Sequence, residues 1–214
     1  CDDADPFTLD DTCDGTGGCS GTTGCFLDDV ASVAAGGNHT CVLLGSGGVK
    51  CWGLNEHGQL GDGTTESRAL PMDVTGLSSG VSSIFAGREH TCALMAAGGM
   101  RCWGRNDYCQ IGEGIGLYAT FPVEVNGLAP DVSVIAGGGV HTCALLSTGG
   151  TWCWGYNKYG HLGDGTTTDK YQPVEVIGLF PGVLTIAAGL MHTCALLSTG
   201  GIQCWGDDTY GQVS

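Results

Sequence analysis

The stretch AGGGVHTCALLSTGGTWCWGYNKYGHLGDGT, residues 136–166, contains two short signatures that recur along the chain. The first is His-Thr-Cys, which stands at residues 39–41, 90–92, 141–143 and 192–194. The second is Cys-Trp-Gly, which stands at residues 51–53, 102–104, 153–155 and 204–206. Both signatures return every 51 residues without slippage, so the sequence predicts four copies of one structural unit.

The repeat divides the chain into a short N-terminal segment and a repetitive body. Each copy begins near a valine, and these valines are Val30, Val81, Val132 and Val183. We therefore predict a cysteine-rich head over residues 1–29 and a repeat region over residues 30–214. The predicted repeats are 30–80, 81–131, 132–182 and 183–214.

Each repeat contains short β-type runs separated by glycine-rich turns. In the third repeat the runs are Val132–Ala136, His141–Leu146, Thr151–Gly155 and Gln172–Val176. Glycine supplies a positive φ without steric cost, so the run at 45–48, Gly-Ser-Gly-Gly, predicts a tight hairpin turn. The fold class is therefore all-β, a propeller-like array of four-stranded antiparallel blades. Repeat 183–214 offers only three such runs, which predicts about four blades with the last one incomplete.

The order of these motifs in residues 136–166 resembles the regulator-of-chromosome-condensation repeat, and the resemblance covers about residues 30–214. It implies a β-propeller. The family's propeller is a ring of seven blades, so the four blades predicted here are too few for that ring. The family includes nuclear exchange factors, enzyme inhibitors and many secreted proteins, so the resemblance specifies the fold more narrowly than the function. We do not carry over the exchange activity of its namesake, since this chain is acidic and cysteine-rich.

Charge and cysteine content restrict the classes of partner and compartment. The formal net charge of −15 repels nucleic-acid backbones and anionic membrane surfaces, so we expect no nucleic-acid partner. The sequence contains no run of 18 apolar residues, so we expect no membrane insertion. Thirteen cysteines indicate an oxidising compartment, so we expect an extracellular protein, either secreted or at the cell surface.

Eight cysteines fall in pairs around the hairpin turns. Cys41 and Cys51 lie five residues either side of Ser46, which makes them cross-strand neighbours at a separation that a disulfide accepts. A nine-residue gap repeated on separate blades does not gather four metal ligands, so we expect no metal site. The predicted disulfides are Cys41–Cys51, Cys92–Cys102, Cys143–Cys153 and Cys194–Cys204.

Five cysteines remain, and an odd number requires a free thiol or a partner outside the chain. Cys109 replaces the glycine that stands at Gly58 and Gly160 in sister repeats. We expect a bond from Cys109 to the head of the same or a neighbouring subunit. The remaining head cysteines, open to disulfides within the head or between subunits, are Cys1, Cys13, Cys19 and Cys25.

The remaining motifs favour structural over chemical roles. The repeated histidines are expected to hydrogen-bond within their own blades, and the repeated tryptophans to pack between blades. The extra Trp152 leaves open a sugar-stacking role. The aspartates of the head leave open calcium binding, although their spacing does not match the twelve-residue calcium loop. No spacing indicates a catalytic triad or a phosphate-binding loop, so we expect neither an enzyme nor a cofactor.

Asn38 lies in the only Asn-x-Ser/Thr sequence of the chain, Asn38-His39-Thr40. Its sister positions hold Glu89, Val140 and Met191, so the position tolerates varied side chains. We therefore predict an exposed glycosylation site at Asn38.

Two functional classes follow from an incomplete last blade, whose unpaired edge invites another strand. The first is an extracellular structural protein that assembles head to tail into a fibre, with the head around residues 7–9 covering the open blade of the next copy. The second is a secreted binding module, adhesive or inhibitory, that recognises a protein or a glycan. A third reading remains open, in which later residues of a longer chain complete the ring.

Overall fold

A computed structural model describes residues 8–13, 19–23, 27–113, 116–128, 130–179 and 182–214, with the first two ranges described by their backbone alone. These residues form 17 β-strands and no helix. Two strands, β1 (Thr8–Cys13) and β2 (Cys19–Thr23), belong to the head. The other fifteen form four sheets, which are the blades of a propeller-like array.

Each of blades 1 to 3 is a four-stranded antiparallel meander whose strand order equals the chain order. The strands of blade 1 are β3 (Val30–Ala35), β4 (His39–Leu44), β5 (Val49–Gly53) and β6 (Arg68–Asp73). Those of blade 2 are β7 (Val81–Ala86), β8 (His90–Met95), β9 (Met100–Arg105) and β10 (Tyr118–Glu124). Those of blade 3 are β11 (Val132–Gly137), β12 (His141–Leu146), β13 (Thr151–Gly155) and β14 (Lys170–Glu175).

Blade 4 has three strands, β15 (Val183–Ala188), β16 (His192–Leu197) and β17 (Ile202–Gly206), and no described strand pairs with the outer edge of β17. The all-β array of blades with an incomplete last member is thus confirmed. The fourth strand of blade 3 begins earlier than the predicted Gln172, because Gly155 pairs with Lys170 across the sheet. Val176 lies beyond that strand and donates its amide to the Thr151 carbonyl.

The hairpin between the second and third strands fixes the register of every blade. In blade 1, Leu44 N donates to Gly48 O at 2.8 Å, and Gly47 adopts a φ of 81°. This turn places Cys41 opposite Cys51 with their Cα atoms 4.1 Å apart. The structure contains four hairpin disulfides of this kind, Cys41–Cys51, Cys92–Cys102, Cys143–Cys153 and Cys194–Cys204.

The core lies between neighbouring blades and not inside any one of them. The first of three apolar clusters joins Leu43, Val49 and the disulfide of blade 1 to Val81 and Trp103 of blade 2. Equivalent clusters join blade 2 to blade 3 and blade 3 to blade 4. A blade therefore buries each of its two faces only against another blade.

The head strands β1 and β2 pair in antiparallel fashion and place the backbone of Cys13 opposite that of Cys19. Other predictions for the head lie outside the described residues. These are the partners of Cys1, Cys13, Cys19 and Cys25, the aspartate side chains, and the role of Phe7.

The fully buried tryptophans provide a direct measure of this inter-blade packing. We predict that Trp154→Ala lowers the free energy of unfolding by about 3–5 kcal/mol, because it opens a cavity between blades 2 and 3. The control is Trp152→Ala two residues earlier, whose half-buried side chain lies on the same face of the strand but outside the buried cluster. Urea titrations of the disulfide-bonded protein should show a much smaller loss for the control. Equal losses would mean that the blades do not depend on this packing.

Candidate functional site: the blade junctions and the open ends

One backbone carbonyl organises each junction between blades. Between blades 1 and 2, the Gln59 carbonyl accepts one bond from Trp103 Nε1 at 2.9 Å and a second from Thr91 Oγ1 at 2.8 Å. Both lone pairs of this oxygen are therefore used by the following blade. We call this oxygen the junction carbonyl. The same arrangement occurs at Gln110, with Trp154 and Thr142, and at His161, with Trp205 and Thr193.

The repeated histidines link each blade to the next. His39 Nε2 lies 2.9 Å from Thr91 Oγ1, His90 Nε2 lies 2.9 Å from Thr142 Oγ1, and His141 Nε2 lies 2.9 Å from Thr193 Oγ1. The prediction that each histidine bonds within its own blade is therefore wrong. Alternation along the strand turns the histidine and the threonine that follows it to opposite faces of the sheet, so each faces a different neighbour.

The threonine determines that Nε2 of its histidine partner carries a proton. Thr91 has one hydroxyl proton, which it donates to the Gln59 carbonyl, so it can only accept from His39 Nε2. The proton of the neutral ring therefore lies on Nε2. The other nitrogen, Nδ1, is buried without a hydrogen-bond partner in His39, His90 and His141 alike.

A glycine stands three residues before each repeated histidine, and the imidazole ring lies against it in the space that a Cβ would occupy. A Cβ on Gly36 would stand 2.3 Å from His39 Cε1 and 2.7 Å from the Gly87 carbonyl of the next blade.

Burial lowers the pKa of His39 to about 4, against a smaller opposite effect of the Glu89 carboxylate. Burial lowers the pKa of His90 to about 3 and that of His141 well below its ordinary value, and neighbouring histidines act in the same direction.

His161 departs from its sister repeats, which carry glutamine at residues 59, 110 and 212. Its ring lies edge-on to His141, with centroids 4.6 Å apart, and burial lowers its pKa to about 4. Sequence reasoning missed His161, although alignment of the repeats would have shown the departure.

The loop after each third strand is organised by a buried asparagine that sequence reasoning also missed. In blade 1, Asn55 Oδ1 accepts from Leu60 N, while Asn55 Nδ2 donates to Asp62 Oδ1 at 3.2 Å. Asp62 also bonds Thr64 and Arg68, and these bonds hold its pKa below the usual value despite the opposing effect of burial. Asp164 acts in the same way in blade 3, with Asn157 and Lys170. These aspartates have structural partners inside their own loops.

At each end of the array, one half of a junction has no partner among the described residues. We call the face of blade 1 that carries Val30, Val33, Thr40 and Trp52 the leading face. Val33 is 67% exposed there, whereas its counterpart Ile186 is 6% exposed at a complete junction. Trp52 is half-buried, while Trp103 and Trp154 are fully buried.

The face of blade 4 that carries His192, Leu196, Ile202 and the Gln212 carbonyl is the trailing face. Ile202 is 71% exposed, whereas its counterparts Val49, Met100 and Thr151 are 1–2% exposed. In blade 1, Val49 is covered because its amide donates to Leu77 O and its carbonyl accepts from Val74 N. In blades 1 to 3 this position is therefore paired with the segment that follows the fourth strand of the same repeat.

Cys109 is the free cysteine among the residues whose side chains are described. It has a φ of 61° where Gly58 and Gly160 each have a φ of 74°, a left-handed conformation that favours glycine. Its side chain is half-buried, and burial together with Asp169 and Asp107 raises the pKa of the thiol.

The other predicted site residues are spread over the array. Asn38 is exposed at the turn before β4, and Trp152 is half-buried on β13. Within the described ranges, no group of three or more histidine, cysteine, aspartate or glutamate side chains is arranged to hold a metal ion. The same ranges contain no helix with the length and hydropathy to cross a membrane.

We predict that stability decreases as the pH falls below about 6.5, the ordinary histidine pKa. The unfolded chain then takes up protons that the folded His39, His90 and His141 refuse, since their pKa values are lowered. Each of these histidines should remove about 1.4 kcal/mol per pH unit until its folded pKa is reached. Urea titrations across this range measure the loss.

Nitrogen-15 NMR of the imidazoles provides the matching check on the folded state. The three rings should remain neutral, with the proton on Nε2, at about pH 5, well below the ordinary histidine pKa. Charged rings in the folded protein at that pH, or a free energy of unfolding that does not change with pH, would contradict this account of the junctions.

Comparison with known proteins shows the family to which the chain belongs. Two sequence profiles, each described as the regulator of chromosome condensation (RCC1) repeat, match residues 46–94 and 148–196, and residues 30–59, 81–110 and 183–212. The ultraviolet-B receptor UVR8 of Arabidopsis thaliana is 33% identical over 189 residues, which cover 86% of this chain and 42% of the receptor.

Solved structures agree with this relationship. Human WBSCR16 superposes with a TM-score of 0.78 and 27% identity, over 87% of this chain and 50% of its own. The ectodomain of the Physcomitrella patens receptor kinase CR4 gives 0.54 and 27%, over 85% of this chain and 42% of its own. The chain therefore spans half or less of the length of these similar proteins. Its matched repeats and its blades identify it as a member of the RCC1 repeat family.

Proposed function

We propose that the chain is a non-catalytic, extracellular structural protein that assembles with copies of itself from head to tail through the open ends of its blade array. The observation that carries this proposal is the exposure of Val33 at 67% on the leading face, where its counterpart Ile186 is 6% exposed at a complete junction. Burying such a surface contributes roughly 25 cal/mol per Å² of apolar area. Donor and acceptor surfaces at opposite ends of one molecule form a heterologous contact, which propagates as a filament when it does not close.

A structural role without catalysis is supported by how the reactive side chains are used. His39, His90 and His141 are neutral, buried and bonded to threonine, and the eight hairpin cysteines are bonded to one another. None of these groups is left to transfer a proton or attack a substrate.

An extracellular location is supported by the disulfides and by one similar structure. Hairpin disulfides persist in oxidising compartments, and all four blades contain one. The CR4 structure is that of a receptor ectodomain, and it is 27% identical to this chain.

The head supplies the remaining parts of the contact in this proposal. A head strand of one copy pairs with the open edge of β17 in the next, as strands are added to exposed sheet edges in other assemblies. In this proposal Cys109, a free thiol among the described side chains, forms a disulfide with a head cysteine of the same or an adjacent copy.

The test is the size of the disulfide-bonded full chain, measured by sedimentation velocity and negative-stain microscopy. We expect oligomers that grow with protein concentration, and we expect deletion of residues 1–29 to abolish them. A full chain that stays monomeric would contradict self-assembly. Unchanged oligomers after the deletion would show that the head is not the connector.

A secreted binding module is the second candidate, and an open groove favours it. The groove has a volume of about 520 Å³ and lies between the loop of blade 2 and the fourth strand of blade 3. Glu113, Asp169, Lys170 and Gln172 provide polar groups, and the exposed ring of Tyr171 offers a stacking surface for a glycan or a protein side chain. A glycan array probed with the chain and with Tyr171→Ala tests this candidate, since specific binding should depend on the ring.

We further predict a glycan on Asn38, whose side chain is exposed at a turn. Mass spectrometry of peptides from the native protein should find the modified asparagine, and Asn38→Gln should remove it. An unmodified Asn38 in native material from a cell with the glycosylation machinery would contradict the prediction.

A further inference from the structure

The junction between blades 3 and 4 contains a titratable ring where the other two junctions contain an amide. The junction carbonyl belongs to Gln59 and Gln110 in blades 1 and 2, and to His161 in blade 3. Each glutamine also closes its own turn, because Gln59 Oε1 accepts from His57 N at 2.9 Å and Gln110 Oε1 accepts from Tyr108 N at 3.0 Å. Neither ring nitrogen of His161 has a hydrogen-bond partner among the described residues.

The ring of His161 lies against the repeated histidine of its own blade. His161 and His141 are both 0% exposed, and their rings meet edge-on with centroids 4.6 Å apart. His141 Nε2 is committed to Thr193 of blade 4, while its Nδ1 is buried without a partner. The junction therefore contains two buried imidazoles in direct contact, and a charge on either ring would lie beside the other.

Two carboxylates lie near this pair, and both have other partners. Asp169 precedes β14 and Asp207 follows β17, and each favours the charged form of His161. Asp169 Oδ1 accepts from Asn157 N at 2.7 Å, and Asp207 Oδ1 accepts from Thr209 N at 3.2 Å. Neither carboxylate forms a hydrogen bond with the ring, so their attraction acts only at a distance.

The other neighbours of the pair are histidines and a tyrosine. His90 of blade 2 and His192 of blade 4 both lower the pKa of His141, while the backbone of Tyr156 acts to raise that of His161. Burial outweighs the favourable groups, so it lowers the pKa of His161 to about 4 and that of His141 well below its ordinary value. Both rings are therefore neutral in the closed junction at neutral pH.

Blade 4 covers both rings at once. A Cβ on Gly206 of β17 would stand 2.8 Å from His161 Cβ, and Thr193 Oγ1 of β16 lies 2.9 Å from His141 Nε2. Opening this junction therefore exposes two imidazoles to water, where each regains its ordinary pKa of about 6.5. Among the described residues, the other two junctions bury one repeated histidine each, His39 or His90.

We propose that the junction between blades 3 and 4 is an acid-sensitive joint, which opens in mildly acidic solution while the two junctions with glutamine stay closed. A histidine that is held neutral in the closed junction takes up a proton only on opening, so a lower pH favours the open form. Two such protons raise the opening equilibrium constant by about 100-fold per pH unit below about pH 6.5, whereas one proton raises it by about 10-fold. The joint does not depend on the proposed self-assembly.

Hydrogen exchange of the indole N–H groups measures each junction separately. Trp103, Trp154 and Trp205 each donate to one junction carbonyl, so their protection from exchange reports how often that junction opens. We would follow the disulfide-bonded full chain by NMR between about pH 6.5 and pH 4.5, relative to the exchange of free indole at each pH. We expect Trp205 to lose protection at a higher pH than the other two, by about 100-fold per pH unit.

Two variants separate titration of His161 from its shape. His161→Gln restores the residue of the sister repeats, and His161→Phe keeps a ring that cannot take up a proton. In both, the loss of protection at Trp205 should fall to about 10-fold per pH unit, because only His141 still titrates on opening. The protection of Trp103 should be the same as in the parent, and unfolding midpoints at neutral pH verify that each variant is folded.

The reciprocal variant transfers the joint to another junction. Gln110→His introduces a second imidazole at the junction where His90 occupies the place of His141. Trp154, which bonds the carbonyl of residue 110, should then lose protection in acid as steeply as Trp205 does in the parent.

Three results would overturn the proposal. The first is a pH dependence at Trp205 that is unchanged in both His161 variants, since the ring would then not titrate on opening. The second is an equal change at all three tryptophans, because acid would then unfold the whole array and not one joint. The third is a Trp205 that stays as protected as Trp103 down to about pH 4.5 in the parent.

Discussion

The constraint on which the structure depends is that a blade of this size cannot be stable alone. Blades 2 and 3 each bury one face on the blade before and the other on the blade after. The junction carbonyl determines how those faces meet, because its two lone pairs take one tryptophan and one threonine of the next blade. Since that threonine has no proton left, the histidine beside it must donate from Nε2, and burial keeps the ring neutral by lowering its pKa. Packing, hydrogen bonding and protonation state are thus coupled at the same point, three times in succession.

Much of this arrangement could be predicted from the sequence. The spacing of Cys41 and Cys51 about a glycine turn defines one hairpin register, and the valines at residues 30, 81, 132 and 183 mark the starts of four inner strands. The direction of the histidine bonds could not be predicted. Periodicity shows that Thr40 and Thr91 occupy equivalent positions of their repeats. It does not show which of the two accepts the hydrogen bond of His39. Only the handedness and closeness of neighbouring blades decide that His39 reaches the second of them.

The loops were less predictable because their order depends on buried polar groups distant in sequence. Asn55 reaches Asp62 and the backbone of Thr64, so an apparent Asp-Gly turn is part of a hydrogen-bonded network. Departures among the repeats were easier to see than to interpret. Cys109 is visible as a replaced glycine, but its left-handed backbone and half-buried thiol emerge only in three dimensions.

The functional account rests on repetition in the same way as the fold. In the proposed assembly, the array of blades continues from one molecule to the next. A cryo-electron-microscopy map of the assembled protein at side-chain resolution tests this claim most directly. The account predicts that blade 4 of one copy lies against blade 1 of the next, with the side chain of Val33 buried in the contact. A map in which Ile202 and Val33 face solvent, or in which copies meet through other surfaces, would contradict it.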